Sequence, residues 1–532
     1  MAYGNRRGAS IRTAAACACA ALVVAAAPAC GAKDTGSTAT PKRTDVEVIA
    51  FQQPWTSIAK ECTNTYGPEG VAYVEVSPPQ ESIQGTQWWT SYQPVSYRLD
   101  SKLGTEAEFK DMIDTCAAAG VGIVADVVLN QTTGAAHDGG WKEGVAGSKY
   151  DPTTGAYPAF TGGHDQYPQG VDAKDFHDWE HGASISGYMD QQEVQEGRLS
   201  GMWDFDTSSD KVRDIQTDYL AKLYDMGVKG FRMDAVKHIS AEDMQAVKTQ
   251  MAEKVGKDPD DIYWIQEVIG NAAEASGIQP RNYLNTGSVT QFAYVSNLNS
   301  ALRGDVSALA DLGERLGDTG RNKFAIASKD ANVFVTNWDT ARNPGQAITY
   351  KDGALYALAN AFLLAYDYGT PRLLSDYRFA DRDAGAPGAT DTSVPAVDFD
   401  EACAAAGGDW NCQQRWTPTR GMIAFHNYVH GMKVEDLQEP DSSLLAFSRG
   451  DKGFVAFNNG AKEVTHEFAT TMPDGEYCDV YAVEDCSKTV KVRKGKVQVT
   501  LAPTSAVALY AGATKGTHPA ASRAVDPSTP QW

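Results

Sequence analysis

The stretch "GFRMDAVKH" (230–238) opens as an apolar strand and ends with an arginine, an aspartate, a lysine and a histidine crowded together. Side chains alternate along a strand, so Arg232 and Asp234 share one face while Phe231, Met233 and Ala235 take the other. A cation beside an anion at the end of a buried strand is either a structural ion pair or a carboxylate held for chemistry. Neighbouring segments of the chain choose between the two.

Similar apolar, β-branched runs recur at "VEVIAF" (46–51), "GVAYVEVS" (70–77), "VGIVADVVL" (121–129), "YWIQEVI" (263–269), "NVFVTNW" (332–338) and "FLLAYDYGTPRLL" (362–374). Continuous apolar strands suit a parallel sheet buried on both faces. Amphipathic stretches at 105–120 and 209–227 supply helices between them, which gives an α/β architecture. Acidic residues stand at or just beyond the strand C-termini: Asp126, Asp234, Glu267 and Asp339. Asp234 and Glu267 are one strand–helix unit apart, and Glu267 and Asp339 about two. The span from Asp126 to Asp234 is too long for one unit. Its excess, about 132–203, is rich in Gly, Asp, His and Tyr and reads as a subdomain inserted after the third strand. Functional side chains at strand C-termini are the plan of a (β/α)8 barrel. From about 432 the pattern changes to short alternating strands with Gly- and Asp-rich turns, an antiparallel β-sandwich.

The expected division is a signal peptide at 1–29, a linker at 30–44, a barrel at 45–431 carrying the insertion, a sandwich at 432–513 and a disordered tail at 514–532. Arg6, Arg7 and Arg12, a short apolar run and "APAC" (27–30) carry the export signal. The formal charge of −21 argues against nucleic acid or an anionic membrane as partner. Nine cysteines are present. Cys17 and Cys19 leave with the signal, and Cys62 with Cys116, Cys403 with Cys412, and Cys478 with Cys486 form close pairs suited to disulfides in an exported protein. Cys30 remains. A lone cysteine after small residues resembles a lipoprotein attachment site, so a lipid-anchored cell-surface protein stands beside a freely secreted one.

The chain resembles secreted α-amylases of glycoside hydrolase family 13, in the animal-like branch also found in actinobacteria. The resemblance runs from about 46 to 512. It rests on "SPPQES" (77–82), "WWTSYQPVSY" (88–97), "DVVLNQ" (126–131), "GFRMDAVKH", "IQEVIG" (265–270), "FVTNWDTAR" (334–342), "YGTPRLLSDYRF" (368–379) and "WNCQQRW" (410–416). The three cysteine pairs fall where this branch places disulfides.

Retaining glycoside hydrolysis needs one carboxylate nucleophile and one protonated carboxyl set close to it. Asp234 suits the nucleophile, kept ionised by Arg232, and Glu267 suits the acid/base, its pKa raised by apolar surroundings. By resemblance, Asp339 orients the distorted sugar. Trp89 and Tyr92 are expected to stack on sugar faces and Gln93 to hydrogen-bond nearby, with Trp88 packed in the core. Arg232, Lys237, His238, Gln131 and Trp338 complete the substrate set. The resemblance also implies calcium held by Asn130, Asp204 and the main-chain carbonyls of Gln195 and His238, all oxygen ligands. It implies chloride held by Arg232, Asn337 and Arg372; the alternative is that Arg372 pairs with an acid. Two positions depart from the family, which has histidines where Gln131 and Trp338 stand here. The resulting expectation is an exported, monomeric, endo-acting α-1,4-glucan hydrolase acting on starch-like polysaccharide, tolerant of acarbose-like inhibitors because Trp338 crowds the sugar site. A glucanotransferase or maltooligosaccharide-forming variant, and a non-catalytic glycan-binding protein on the same scaffold, are the alternatives.

Overall fold

The computed structural model describes residues 43–135, 139–317, 325–404 and 408–515. The export signal, Cys30 and nearly all of the linker and tail lie outside them. Eight parallel strands close into a barrel: β1 (Glu47–Ala50), β2 (Tyr73–Val76), β3 (Gly122–Val127), β4 (Gly230–Met233), β5 (Tyr263–Gln266), β6 (Ser288–Thr290), β7 (Ala331–Val333) and β8 (Thr370–Ser375), with β8 pairing back onto β1. Most of their residues are buried, as expected of strands flanked by helices outside and packed side chains within. The helices between them start where local chemistry supplies a cap. Thr105 and Glu108 form a reciprocal capping box on Glu106–Ala118, and Ser209 and Ser240 cap Asp210–Asp225 and Ala241–Val255.

One strand expectation changes, and one strand was not foreseen. The run "FLLAYDYGTPRLL" holds the end of helix Ala354–Ala365 followed by β8. That helix is buried from Tyr356 to its end, and an apolar run without a polar face does not declare helix or strand. The three-residue β6 is too short to show as a run, though the two-unit spacing from Glu267 to Asp339 leaves room for it.

Between β3 and β4, Gln131–Gly134 pairs antiparallel with Met202–Asp204 and closes off the intervening chain. This region has its own aromatic core, with Tyr157, Phe160, Phe176, Trp203 and Phe205. Beyond helix Thr417–Val429 come β9 (Val434–Asp441), β10 (Leu444–Arg449), β11 (Gly453–Asn458), β12 (Val464–Ala469), β13 (Gly475–Cys478), β14 (Thr489–Arg493), β15 (Lys496–Leu501) and β16 (Ser505–Tyr510). They form two antiparallel sheets, ordered β9-β10-β11-β16 and β12-β15-β14-β13. Leu444, Ala446, Phe454 and Ala456 face the second sheet, while Phe447 and Phe457 pack on Phe362 of the barrel's helical shell. β10, β11 and β16 are therefore buried on both faces, while the edge strand β9 is largely exposed.

The three expected disulfides, Cys62–Cys116, Cys403–Cys412 and Cys478–Cys486, all form. Among the described residues no helix is long and apolar enough to cross a membrane.

Arg420 of helix Thr417–Val429 bridges Glu69 (2.6 Å) and Glu484 (3.6 Å), joining the barrel to the last domain. Burial pushes the Glu69 carboxyl up to about 8, and Glu61 and Glu484 add to the shift against the pull of Arg420. The folded state thus keeps a proton that the unfolded chain releases near its ordinary carboxyl value. Stability gained from that proton is lost as pH rises toward about 8, by up to about 1.4 kcal/mol per pH unit. Urea unfolding at acidic and mildly alkaline pH is expected to show this loss, and Glu69→Gln to flatten it. A slope unchanged by the substitution would contradict the assignment.

Candidate active site

The C-terminal ends of β3, β4 and β5 converge on one guanidinium. Arg232, on β4 and almost fully buried, places Nη1 2.8 Å from both Asp126 Oδ1 and Asp234 Oδ1, and Nη2 2.9 Å from Glu267 Oε1. The alternation read from "GFRMDA" holds: Arg232 and Asp234 meet in the lumen, while Phe231 and Met233 enter the surrounding apolar core. Register explains the rest. Asp126 lies opposite Arg232, and Arg232 opposite Ile265, two residues before Glu267 on the same face.

Just after β4 the chain turns sharply. Ala235 adopts a left-handed conformation (φ 52°), strained for a residue with a Cβ, and donates its N–H to Glu267 Oε2 at 3.0 Å. Such strain persists where the surroundings over-determine it, here at the seam between two carboxyls. Glu267 therefore does not sit in an apolar pocket, as its flanking sequence implied; Arg232 and the Ala235 amide hold its two oxygens. Asp234 is pulled in two directions. Arg232 pulls its pKa down, but burial, aided by neighbouring Glu267, outweighs that pull and leaves it raised. Asp339 is pushed up to about 7 by burial and by Glu267. Several carboxyls around one cation cannot all ionise freely, so this cluster retains protons.

A cleft of about 430 Å³ opens over this cluster. Its lining includes Asp234, Glu267 and Asp339, together with Trp89, Tyr92, Gln131, Lys237, His238 and Trp338. Trp88 also lines it, half-buried against the core rather than enclosed by it, with its indole N–H on Arg382 O at 2.9 Å. Gln131 Nε2 reaches Asp234 Oδ2 at 3.3 Å. Gln93 is not in the lining: its side-chain oxygen accepts from Gly134 N at 3.1 Å and ties the first aromatic motif to the insertion. Trp338 is only 2 % exposed. Its ring lies almost parallel to Phe51 at 5.2 Å and stacks on Tyr92, with the Arg232 guanidinium 4.9 Å from its centre. It fills the wall beneath the cleft rather than crowding the space above, because three flat groups are available to stack on.

The sequence passed over several residues that the fold brings here. Asp126 was legible as a strand-end acid, but not as a partner of both Arg232 and Tyr92, whose hydroxyl donates to Asp126 Oδ2 at 2.7 Å. Glu274 pairs with Lys237 at 2.6 Å, and Tyr188 lies under the same lysine and against His238. Both sit in irregular segments where no periodicity marks them. Burial drops the His238 imidazole to about 4, so it is neutral at physiological pH, with Nδ1 3.0 Å from Val194 O.

The cation set fits its ion. Both side-chain atoms of Asn130 and Oδ1 of Asp204 are buried without a hydrogen-bond partner, while Asp204 Oδ2 is 2.7 Å from His177. Orphaned buried oxygens on adjoining segments are what a hard cation would satisfy. Gln195 lies in the last turn of helix Gln191–Glu196, where carbonyls lack helical partners, next to the Val194 carbonyl that contacts His238. The anion set does not fit. Arg372 is held by Glu47 and Glu75, the alternative left open by the sequence, and both Nη groups of Arg232 are held by Asp126, Asp234 and Glu267.

Comparison with known proteins gives the family. The family described as α-amylase, catalytic domain, matches residues 75–319, and the α-amylase C-terminal all-β domain matches 435–512. An α-amylase of Streptomyces violaceus is 38% identical over 495 residues, covering 93% of this chain and 79% of that protein. An α-amylase-related protein of Drosophila ananassae is 35% identical over 439 residues, covering 81% and 85%. The crystal structure of α-amylase I from Eisenia fetida superposes with a TM-score of 0.78 at 30% identity, over 88% of this chain and 97% of that one, and a mutant of it was solved with maltohexaose. With a closed eight-stranded barrel, a C-terminal all-β domain and these relatives, the chain belongs to the α-amylase family of glycoside hydrolases and is an enzyme of that class.

Proposed function

We propose that this enzyme is an exported, endo-acting α-1,4-glucan hydrolase that works with retention of configuration. The observation that carries this is the pair of carboxyls, Asp234 and Glu267, held by the two ends of one guanidinium. A close-set pair suits a nucleophile and an acid, whereas inversion needs a wider gap with room for water. Glu267 protonates the glycosidic oxygen as Asp234 attacks the anomeric carbon. Glu267 then takes a proton from the water that releases the sugar. Asp339, on the same cleft, stabilises positive charge on the sugar ring as the bond breaks. Trp89 and Tyr92 give apolar faces for the rings, and Lys237 and His238 give polar edges. The maltohexaose complex of the Eisenia fetida enzyme supports an oligosaccharide in such a cleft. Anomeric analysis of fresh products by NMR is expected to show α-configured reducing ends; β-configured products would overturn the retaining reading.

Three disulfides suit an oxidising, extracellular setting. Calcium at Asn130, Asp204 and the Gln195 and His238 carbonyls would tie the insertion to the loop after β4 and supply charge for otherwise orphaned oxygens. Its role is structural. Chelation is expected to lower the melting temperature, because an ion bound only by the native state stabilises it. Asn130→Ala should lower the melting temperature and make it insensitive to chelator. Equal melting of wild type with and without chelator would remove calcium from this reading.

A further inference from the structure

One step deeper in the lumen than Asp126, a second arginine is buried among acids. Arg372 on β8 places Nε 2.7 Å from Glu47 Oε1 on β1 and hydrogen-bonds through Nη2 to Glu75 Oε2 on β2. All three residues are at most 2 % exposed. The register sets them side by side: Glu47 lies opposite Arg372 and Tyr73, and Glu75 follows Tyr73 on the same face. Glu75 lies opposite Val124 of β3, and Asp126, the partner of Arg232, is the next lumen-facing residue on that strand. The triad thus lies directly beneath the Asp126–Arg232–Glu267 cluster. The two arginines are close enough to repel each other, and Glu75 is close enough to raise the pKa of Asp126.

The resemblance called for a free anion between Arg232, Asn337 and Arg372, and the geometry disagrees. Two donor directions of Arg372 already end on carboxylates, and both Nη groups of Arg232 are held by Asp126, Asp234 and Glu267. Of the Arg232 nitrogens Nε alone is left without a partner, on a guanidinium whose charge three carboxyls already face. Glu47, buried between Arg372 and Glu75, is pushed up to about 8 and holds its proton at neutral pH. One negative carboxylate then balances one positive guanidinium.

We propose that Glu75 is a built-in anion that holds Arg372 in place of an exchangeable halide and makes hydrolysis independent of chloride. A tethered carboxylate is always present, so the site needs no dissolved ion to fill it. Glu75 is a positioning residue, since it reaches the reacting groups only through Arg372 and the Asp126–Arg232 cluster. Without it, an uncompensated Arg372 would favour the ionised forms of Asp126, Asp234, Glu267 and Asp339. The general acid would then lose its proton at lower pH, and the basic limb of the activity profile would move down. This inference rests on Glu267 acting as that acid.

The test is starch hydrolysis by the full enzyme in halide-free gluconate buffer, then with up to about 100 mM chloride at constant ionic strength. Wild type is expected to change by less than about twofold, with its basic limb unmoved. Glu75→Ala, which leaves a carboxylate-sized gap, is expected to lose about tenfold in kcat, to shift its basic limb to lower pH, and to recover in part with chloride or formate. Glu75→Gln, with volume kept and charge removed, should show the shifted limb without recovery. If Glu75→Ala does not fold, the wild-type titration and Glu75→Gln decide. Wild-type hydrolysis that appears only with chloride overturns this inference alone, as does a wild-type pH profile in both variants. Hydrolysis absent with and without chloride overturns the functional reading and this inference together.

Discussion

Glu267→Gln is expected to leave a folded protein whose hydrolysis of starch is lower by several orders of magnitude. General acid–base catalysis alone contributes about 10²- to 10⁴-fold, and here one carboxyl serves as acid in the first step and base in the second. Asp234→Asn should cost at least as much, because an amide cannot form the glycosyl–enzyme bond. Neither change should unfold the protein. Each removes a carboxylate from a site where several crowd one guanidinium, so relief of like-charge repulsion offsets the weakened bond to Arg232. Melting temperatures within about 3 °C of wild type, measured beside initial rates, would keep loss of chemistry apart from loss of fold. Near-normal rates in either variant would remove the assignment.

Trp338→His combined with Gln131→His is expected to change both stability and inhibitor binding. Phe51, Tyr92 and Arg232 all lean on the Trp338 ring, so a smaller imidazole leaves them partly unpacked, at a cost of about 2–4 kcal/mol. Tolerance of acarbose-like pseudo-oligosaccharides, proposed here for the unmodified enzyme, then has a different cause from the crowding its sequence implied. A ring 2 % exposed cannot fill the sugar's space, but an indole has one donor and no acceptor where an imidazole has both. Restoring polar contacts to a bound sugar is expected to tighten acarbose inhibition by about ten- to a hundredfold. The same contacts in the transition state would raise starch turnover. Inhibition constants on the two proteins decide the matter: if the unmodified enzyme is already inhibited as strongly as the double variant, tolerance is wrong and the tryptophan serves packing alone.

Much of this enzyme was legible in one dimension because its signals are local. Strand alternation put Arg232 beside Asp234, and both the pairing and the burial followed. Unit spacing put Glu267 on the next strand and left room for a strand, β6, too short to see. Cysteine proximity gave Cys403–Cys412 and Cys478–Cys486, 9 and 8 residues apart, whereas Cys62 and Cys116, 54 apart, are brought together by the fold. The buried helix Ala354–Ala365 escaped because a segment apolar on every side has no period to read.

What only the tertiary structure decided are the contacts between strands far apart in sequence. Glu47 and Arg372 are separated by 325 residues and meet because β8 closes the barrel onto β1, so an arginine that resemblance assigned to a free ion is held by the protein's own acids. Arg232 lowers the Asp234 pKa as its place in the sequence implied, but the burial that raises it, with Glu267 arriving from another strand, is set by the fold. Trp338 stands where the resemblance implies a histidine, yet whether its ring fills the cleft or the wall depends on Phe51, Tyr92 and Arg232, which come from three other segments. Local sequence sets which side chains enter the lumen. Barrel closure sets which charges then face one another in a space with little water to screen them, and that determines their protonation and their partners.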